Sequence, residues 1–373
     1  MIGFSARISL LVYALVVWAG LAFHPVFGQK YSNEFLSIGV GARAQGMGTA
    51  VIAGGADVTA GVWNPSGLAS IDLTQGFQLG AMHSEWFGGV GKFDYLGVVV
   101  PLSANHRRVG LSLIRFGIDQ IPNTLTLYES DGTINYDNLR EFSAADYAFI
   151  MSYAQSLKPG QNGLALGGNL KVVHRRIGPF ASSWGFGADL GLQYRVSNWR
   201  FGFLARDVTT TFNAWSFSFT DAEKQVLDLT NNEVPISSIE ITRPQLILGL
   251  YRRFLINKIG VAPEIDLIAT TDGRRNTLIS ADPFSIDPAI GLELDYKQFI
   301  FLRGGASQFQ RELAIGGDEL LGVRPSIGLG LKISSLSLDY AFTDLGSSQS
   351  TFSHIISLML DFKPKRDKFT PID

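Results

Sequence analysis

Cysteine is absent from this 373-residue chain. That excludes thiolate catalysis, disulfide staples, Cys-ligated metals and a lipidated N-terminal cysteine. Charge is scarce: Asp, Glu, Lys and Arg make up 17% of the residues, against about a quarter in a typical soluble domain. The formal net charge of −2 offers no basic stripe for nucleic acid. Long apolar runs are missing too, with one exception. Ile8 to Phe23 is uncharged, follows Arg7 and is closed by His24-Pro25. It reads as a secretory signal spanning 1–28, cleaved before Gln29, because a membrane-spanning helix needs roughly 20 apolar residues. No second run of that length follows. A mature chain that lives in a membrane must then cross it as a closed barrel, since backbone N–H and C=O groups have no other partners in lipid.

What the chain does have is alternation. It is 46% apolar, with 26 Phe and 41 Gly. In Trp184–Val196 the residues Trp184, Phe186, Ala188, Leu190, Leu192, Tyr194 and Val196 share one strand face, while Gly185, Gly187, Asp189, Gly191, Gln193 and Arg195 share the other. Ile290–Lys297 and Leu336–Thr343 repeat the pattern. Segments of this kind fall near 75–84, 91–102, 107–119, 143–157, 163–176, 184–197, 199–209, 243–254, 258–271, 288–297, 299–308, 323–333, 335–344 and 351–362. About fourteen strands are too many to close over a core of their own side chains. The fold class is therefore all-β, a transmembrane antiparallel barrel over 72–363 whose apolar face meets lipid.

The linkers agree with this. Short ones at 158–162, 197–198, 256–257 and 334–335 alternate with long ones at 120–142, 210–242, 272–287 and 309–322, as tight periplasmic turns alternate with outer loops. Tyr194, Trp199, Tyr251, Phe254, Tyr296, Phe299 and Phe362 lie beside short turns, and an interfacial girdle of rings accounts for them. The last segment, Phe352 to Phe362, alternates and ends on an aromatic, like a barrel-insertion signal. The polar residues 364–373 form a periplasmic tail.

Residues 29–71 do not alternate. Gly39-Val-Gly-Ala-Arg-Ala-Gln-Gly-Met-Gly48 superficially matches a dinucleotide fingerprint, but it follows no strand and opens no βαβ unit. In Trp63-Asn64-Pro65-Ser66-Gly67-Leu68, Pro65 drives Asn64 to extended geometry and Gly67 is free to take a positive φ. A wide lumen needs filling. Inward glycines such as Gly185, Gly187, Gly191, Gly328 and Gly330 would let this small-residue segment rest against the wall as a hatch.

The run Gly41-Ala42-Arg43-Ala44, Gly46-Met47-Gly48 and Trp63 to Leu68 resembles the start of the PorV/PorQ family of FadL-like barrels, as do Thr211 to Phe217, Glu223 to Val226 and Asn232 to Pro235. The resemblance spans essentially the whole mature chain. It implies a barrel of about fourteen strands with an N-terminal hatch, in which Gly41, Arg43, Gly46, Gly48, Asn64, Pro65 and Gly67 form the hatch motif. It also implies an outer-membrane component of the type IX secretion system of Bacteroidetes. Such a component binds the secretion translocon or cargo C-terminal domains and passes cargo to attachment-complex proteins. A FadL-like channel for hydrophobic small molecules is the alternative.

Chemistry is sparse. His83, His106, His174 and His354 share no metal-ligand spacing, so neither metal nor cofactor is expected. A lipid-facing hydrolase built on His354 or His174 would need a nucleophile and an orienting group beside it, and the sequence supplies no such constellation; the expectation is a protein that is not an enzyme. Luminal carboxylates such as Asp189, Glu293, Asp295 and Asp339 are expected to pair with Arg195, Lys297 and Arg200. In the long loop, Trp215, Phe217 and Phe219 alternate with serines ahead of a short amphipathic helix from Asp221 to Leu227. Those rings form either a partner-binding surface or a lid folded over the barrel mouth.

Overall fold

The computed structural model describes residues 32–73, 76–103, 107–127, 133–158, 162–235, 237–313, 319–344 and 352–362. The expected signal peptide and polar tail lie outside the described residues, as does His106.

One sheet contains every strand, and each pairs antiparallel with its neighbours. The strands are β1 (Phe77–Trp86), β2 (Gly91–Ser103), β3 (Arg107–Asn123), β4 (Arg140–Lys158), β5 (Leu164–Ile177), β6 (Ala181–Val196), β7 (Trp199–Arg206), β8 (Thr211–Phe217), β9 (Ser237–Thr242), β10 (Gln245–Arg252), β11 (Phe254–Ile256), β12 (Ile259–Thr270), β13 (Ser285–Tyr296), β14 (Ile300–Leu313), β15 (Glu319–Ile333), β16 (Leu336–Asp344) and β17 (Phe352–Phe362). β7 and β8 run end to end along β6, and β9, β10 and β11 together make the next stave. The wall therefore has fourteen staves, and pairing of β1 with β17, from Phe77↔Phe362 to Glu85↔His354, closes it.

The wall is inverted relative to a soluble barrel. Leu170, Leu190, Leu96, Leu248 and Leu329 are 53–62% exposed, while Lys171, Asp189, Glu264, Asp266, Arg303 and Asp339 are at most 4% exposed. Adjacent residues such as Leu170 and Lys171 take opposite fates because successive strand side chains point to opposite sides. A closed cylinder with hydrocarbon outside and ions inside is built for lipid.

Two expectations need correction. Tyr251, assigned to the outer girdle, turns inward and is 6% exposed; the Arg200 guanidinium lies over its ring, 5.2 Å from the centroid. Tyr194, Phe254, Tyr296, Phe299 and Phe362 do face outward. Much of the sequence taken as outer loop is wall: β3 and β4 run on to Asn123 and back from Arg140, β14 and β15 to Leu313 and from Glu319, and the stretch 210–242 contains β8 and β9.

The segment before β1 carries α1 (Ala42–Gly46), α2 (Ala60–Trp63) and a 3-10 turn, Pro65–Ser70. Its Val40, Met47, Ile52, Val58 and Leu68 are at most 2% exposed. It touches inward-facing residues on strands all round the sheet, from β17 (Ser357) through β6 (Gln193) to β15 (Ser326). It is a hatch inside the lumen.

Candidate functional site

Glycine seats the hatch. A Cβ on Gly167 would fall 2.3 Å from the Ser66 amide nitrogen, one on Gly202 2.6 Å from the Ile52 carbonyl oxygen, and one on Gly291 2.5 Å from the Met47 oxygen. Gly191 packs against Asn64 and Gly328 against Gly46, as the alternation implied. Gly185, Gly187 and Gly330 do not meet the hatch; they make room for Asn213, Thr211 and Asp339 on the wall itself. Periodicity assigns a face of a strand and says nothing of height along the barrel, which is why those three were misplaced.

Polar contacts then fix the hatch's orientation. Arg43 reaches Glu293 at 3.0 Å and Asp57 at 4.0 Å. Glu293 is shared with Arg303 at 2.7 Å, and Arg303 continues to Asp339 at 2.6 Å. Glu293 and Asp339 thus pair with Arg43 and Arg303, Asp189 with Lys171 and Asp295 with Arg253 at 2.6 Å, whereas Arg195, Lys297 and Arg200 were expected. Glu264 and Asp266 accept backbone N–H groups from Val51 to Gly54 at 2.8–3.1 Å, which satisfies a turn that has no secondary structure to satisfy it.

The remaining motif residues each have a defined place. Gly41, at φ 90°, donates its N–H to Met82 Sδ at 2.9 Å. Gly46 and Gly48 lie where the hatch touches the wall backbone. Asn64 is extended (φ −153°) and caps the 3-10 turn that Pro65 opens, accepting from the Ser66 hydroxyl at 2.7 Å and donating to the Ile52 oxygen at 2.9 Å. Gly67 does not take the positive φ anticipated; a Cβ there would come 2.5 Å from the Gly55 oxygen, so crowding is what demands glycine.

The wall itself is interrupted on one side. β7 pairs with β10 from Arg206↔Gln245 downward, and β8 with β9 from Thr211↔Thr242 upward. Between them, 207–210 and Arg243-Pro244 leave the ladder. Asp207 (φ 55°) and Thr210 (φ 60°) are left-handed, and Pro244 has no N–H to give a neighbour. Directly behind this break lies a small cavity of about 40 Å³ between the wall and Ser32 to Ser37 of the hatch. Asn33 bonds to Thr242 at 2.9 Å and to Asn213 at 2.8 Å, and Ser32 to Glu240 at 3.2 Å, holding that segment over the break.

The cavity lining is charged. Lys171, almost fully buried, bonds Asp189 at 2.7 Å and also Asp207. Arg275 is clamped by Asp272 at 2.6 Å. Arg206 and Arg243 also line the cavity, and among the described residues neither forms an ion pair or a side-chain hydrogen bond. Leu36, Val62 and Ile150 supply its apolar side. Sequence reasoning missed both arginines: they fall inside the strand segments 199–209 and 243–254, and periodicity does not say which cations of a wall lack a partner.

Trp215, expected in solvent, is 7% exposed on the inner face of β8, with the Arg175 guanidinium 5.1 Å from its ring centroid. Phe217 stacks on it at 6.2 Å and Phe219 on Phe217 at 6.5 Å, so the rings form a continuous stack at the barrel mouth. The helix beyond, α3 (Asp221–Leu229), has a full capping box from Thr220 and Glu223 and stands exposed. On the lipid face, His354 Nδ1 meets the Tyr340 hydroxyl at 2.7 Å, and His174 Nδ1 meets the Ser183 carbonyl oxygen at 3.0 Å; neither contact is to a serine hydroxyl.

No family model and no curated protein matches the chain. Among solved structures, it is similar to the toluene transporter TodX of P. putida, at 15% identity and a TM-score of 0.52 over 87% of this chain and 99% of that one. The toluene transporter TbuX of Ralstonia pickettii gives 13% and 0.51, over 87% and 99%. A Pseudomonas aeruginosa FadL homologue gives 13% and 0.51, over 87% and 98%. At these identities the likeness is one of architecture: a FadL-like fold.

Proposed function

We propose that the protein is an outer-membrane channel that admits a small molecule past its hatch, through the cavity behind the break between β7 and β8. The observation that carries this reading is the coincidence of three features at one height: two adjacent staves leave the ladder, a cavity lies behind them, and the hatch segment Ser32–Ser37 covers it. The transporters of toluene that share the fold support passage of small molecules in general. The lining favours a ligand with an apolar body and a polar or anionic group, since Arg206 and Arg243 face it with no partner of their own among the described residues.

A chain without cysteine allows a clean test. Asn33→Cys with Thr242→Cys places thiols where hydrogen-bonded side chains now meet at 2.9 Å, within reach of disulfide geometry. In vesicles containing the oxidised variant, uptake of benzoate and toluene should stop, and reduction should restore it. Uptake that continues with the segment locked would remove the hatch from the route and the reading with it.

A second reading is favoured by the β8–α3–β9 extension, where Leu229 at the tip is 78% exposed and Ile239, on β9 level with Trp184, is 65% exposed. Together with the hatch and loop motifs, it supports a type IX secretion role in which the extension binds the translocon, cargo C-terminal domains or attachment-complex proteins. Pull-down from native outer membranes with Leu229→Glu and Ile239→Glu as controls tests it: a partner lost in both variants supports the role, and identical captures oppose it.

A further inference from the structure

Strand register carries the boundary between hydrocarbon and headgroup on the outer surface of β2 to β6. One row of cross-strand neighbours reads Leu96, Leu113, Phe149, Val172, Phe186 and is wholly apolar. The row two residues nearer the end opposite the termini reads Asp94, Arg115, Tyr147, His174, Trp184, and every member is polar or amphipathic. Side chains in both rows point away from the lumen, since their strand neighbours Tyr95, Ile114, Ala148 and Val173 are buried on the inside. Such a change within one step along the strand marks the level at which acyl chains give way to headgroups.

At that level the wall has a groove of about 500 Å³ between β3, β4 and β5, lined by Arg115, Tyr147, His174, Arg176 and Ser143. That volume lies within the range of pockets that hold whole ligand groups. Arg115 keeps one N–H on Asp94 at 3.3 Å. Arg176 donates its Nε–H to the Gly178 carbonyl oxygen at 3.0 Å, which leaves its two terminal nitrogens without an acceptor among the described residues. The His174 ring stacks on Trp184 at 4.2 Å. The groove therefore carries Arg115 and Arg176 with two carboxylates at its edge, Asp94 on Arg115 and Asp119 on Lys92 and Ser143; Arg176 has neither as a partner, and an apolar bed continues directly below it.

We propose that this groove binds the phosphate of an anionic lipid in the outer leaflet, with Arg115 and Arg176 on the headgroup and the acyl chains lying along Leu113, Phe149 and Val172. Charge selects the headgroup, because a planar guanidinium matches phosphate geometry. Position selects a lipid over free phosphate, because the groove opens at the membrane boundary. The site is on the opposite side of the wall from the cavity and does not depend on what the channel carries.

Trp184 reports on it directly. The full-length protein is placed in phosphatidylcholine vesicles containing a minor fraction of tail-brominated phosphatidylglycerol, and emission quenching is compared with that from tail-brominated phosphatidylcholine at the same fraction. Trp184→Phe defines the share of emission due to this ring. Stronger quenching by the anionic lipid is expected, falling by about fivefold for each of Arg115→Gln and Arg176→Gln, the enrichment that one cation at a membrane surface confers. Arg176→Lys should retain most of it. Equal quenching by the two brominated lipids in the unsubstituted protein overturns the proposal even if no variant folds, as does quenching that the Gln variants leave unchanged.

Discussion

Gly48 and Gly305 face each other with no space between them: a Cβ on Gly305 would lie 2.1 Å from the Gly48 nitrogen, and one on Gly48 2.5 Å from the Ala306 nitrogen. Hatch and wall meet there backbone to backbone. Gly305→Ala must push them apart, at about 1–3 kcal/mol for an overpacked contact. Gly48→Ala adds the strain of a positive φ of 61°. Both variants should form heat-resistant barrels yet expose the hatch to protease and raise single-channel conductance in planar bilayers. Unaltered conductance with Gly305→Ala would mean the seat is slack.

Arg43 is the hatch cation held by Glu293 on the wall and by Asp57 of the hatch itself. Replacing it with Ala leaves Glu293 shared with Arg303 alone, and Asp57 with no ion-pair partner among the described residues. Breaking a buried pair from one side costs about 3–5 kcal/mol, more than the overpacked glycine contact. Arg43→Ala should therefore release the hatch at lower urea than Gly305→Ala, while the barrel melts with little change. Limited proteolysis across a urea series separates the two.

The charged cavity predicts a split by ligand. Arg206→Gln with Arg243→Gln removes from the lining both cations that lack a partner among the described residues. Benzoate uptake should fall by about tenfold or more, as two charge-assisted hydrogen bonds are lost, and toluene uptake should change little. An equal fall for both ligands would show that the arginines maintain the wall and do not read the ligand.

Leu170 and Lys171 test the inversion at a single point in the sequence. Leu170 is 62% exposed to lipid, and Leu170→Arg should cost about 2–4 kcal/mol near the bilayer midplane. Lys171→Met strands Asp189 and Asp207 inside, at about 3–5 kcal/mol. Urea unfolding in vesicles should find both variants destabilised. In detergent micelles the penalty of Leu170→Arg should shrink, because micelles thin readily around a charge, while that of Lys171→Met persists.

The staves were legible because each obeys a period of two over ten or so residues, and the choice of lipid-facing side followed from their number. Thr211–Phe217 and Ser237–Thr242 alternate just as well. They were read as loop because they follow a stave of ordinary length, and nothing local announces that a wall resumes after a four-residue break. Asp207 and Thr210 are ordinary residue types; only their left-handed backbone marks the interruption. Tyr251 was misassigned for a related reason. Its nearness to a short turn is a property of the sequence, whereas its inward direction is set by alternation from buried Ile247. The hatch motif was visible as a run of small residues, but Arg206 and Arg243 drew no attention, since their importance lies in what fails to pair with them.

The hatch also grips both edges of the seam. Gly41 donates to Met82 on β1, the first strand, and Ala42 donates at 2.6 Å to the Ser357 hydroxyl on β17, the last. Consecutive peptides thus span the junction in the cylinder that joins the two ends of the strand sequence. The segment synthesised before the staves serves them as a mandrel, so that wrapping the sheet and stopping its bore become a single act of assembly.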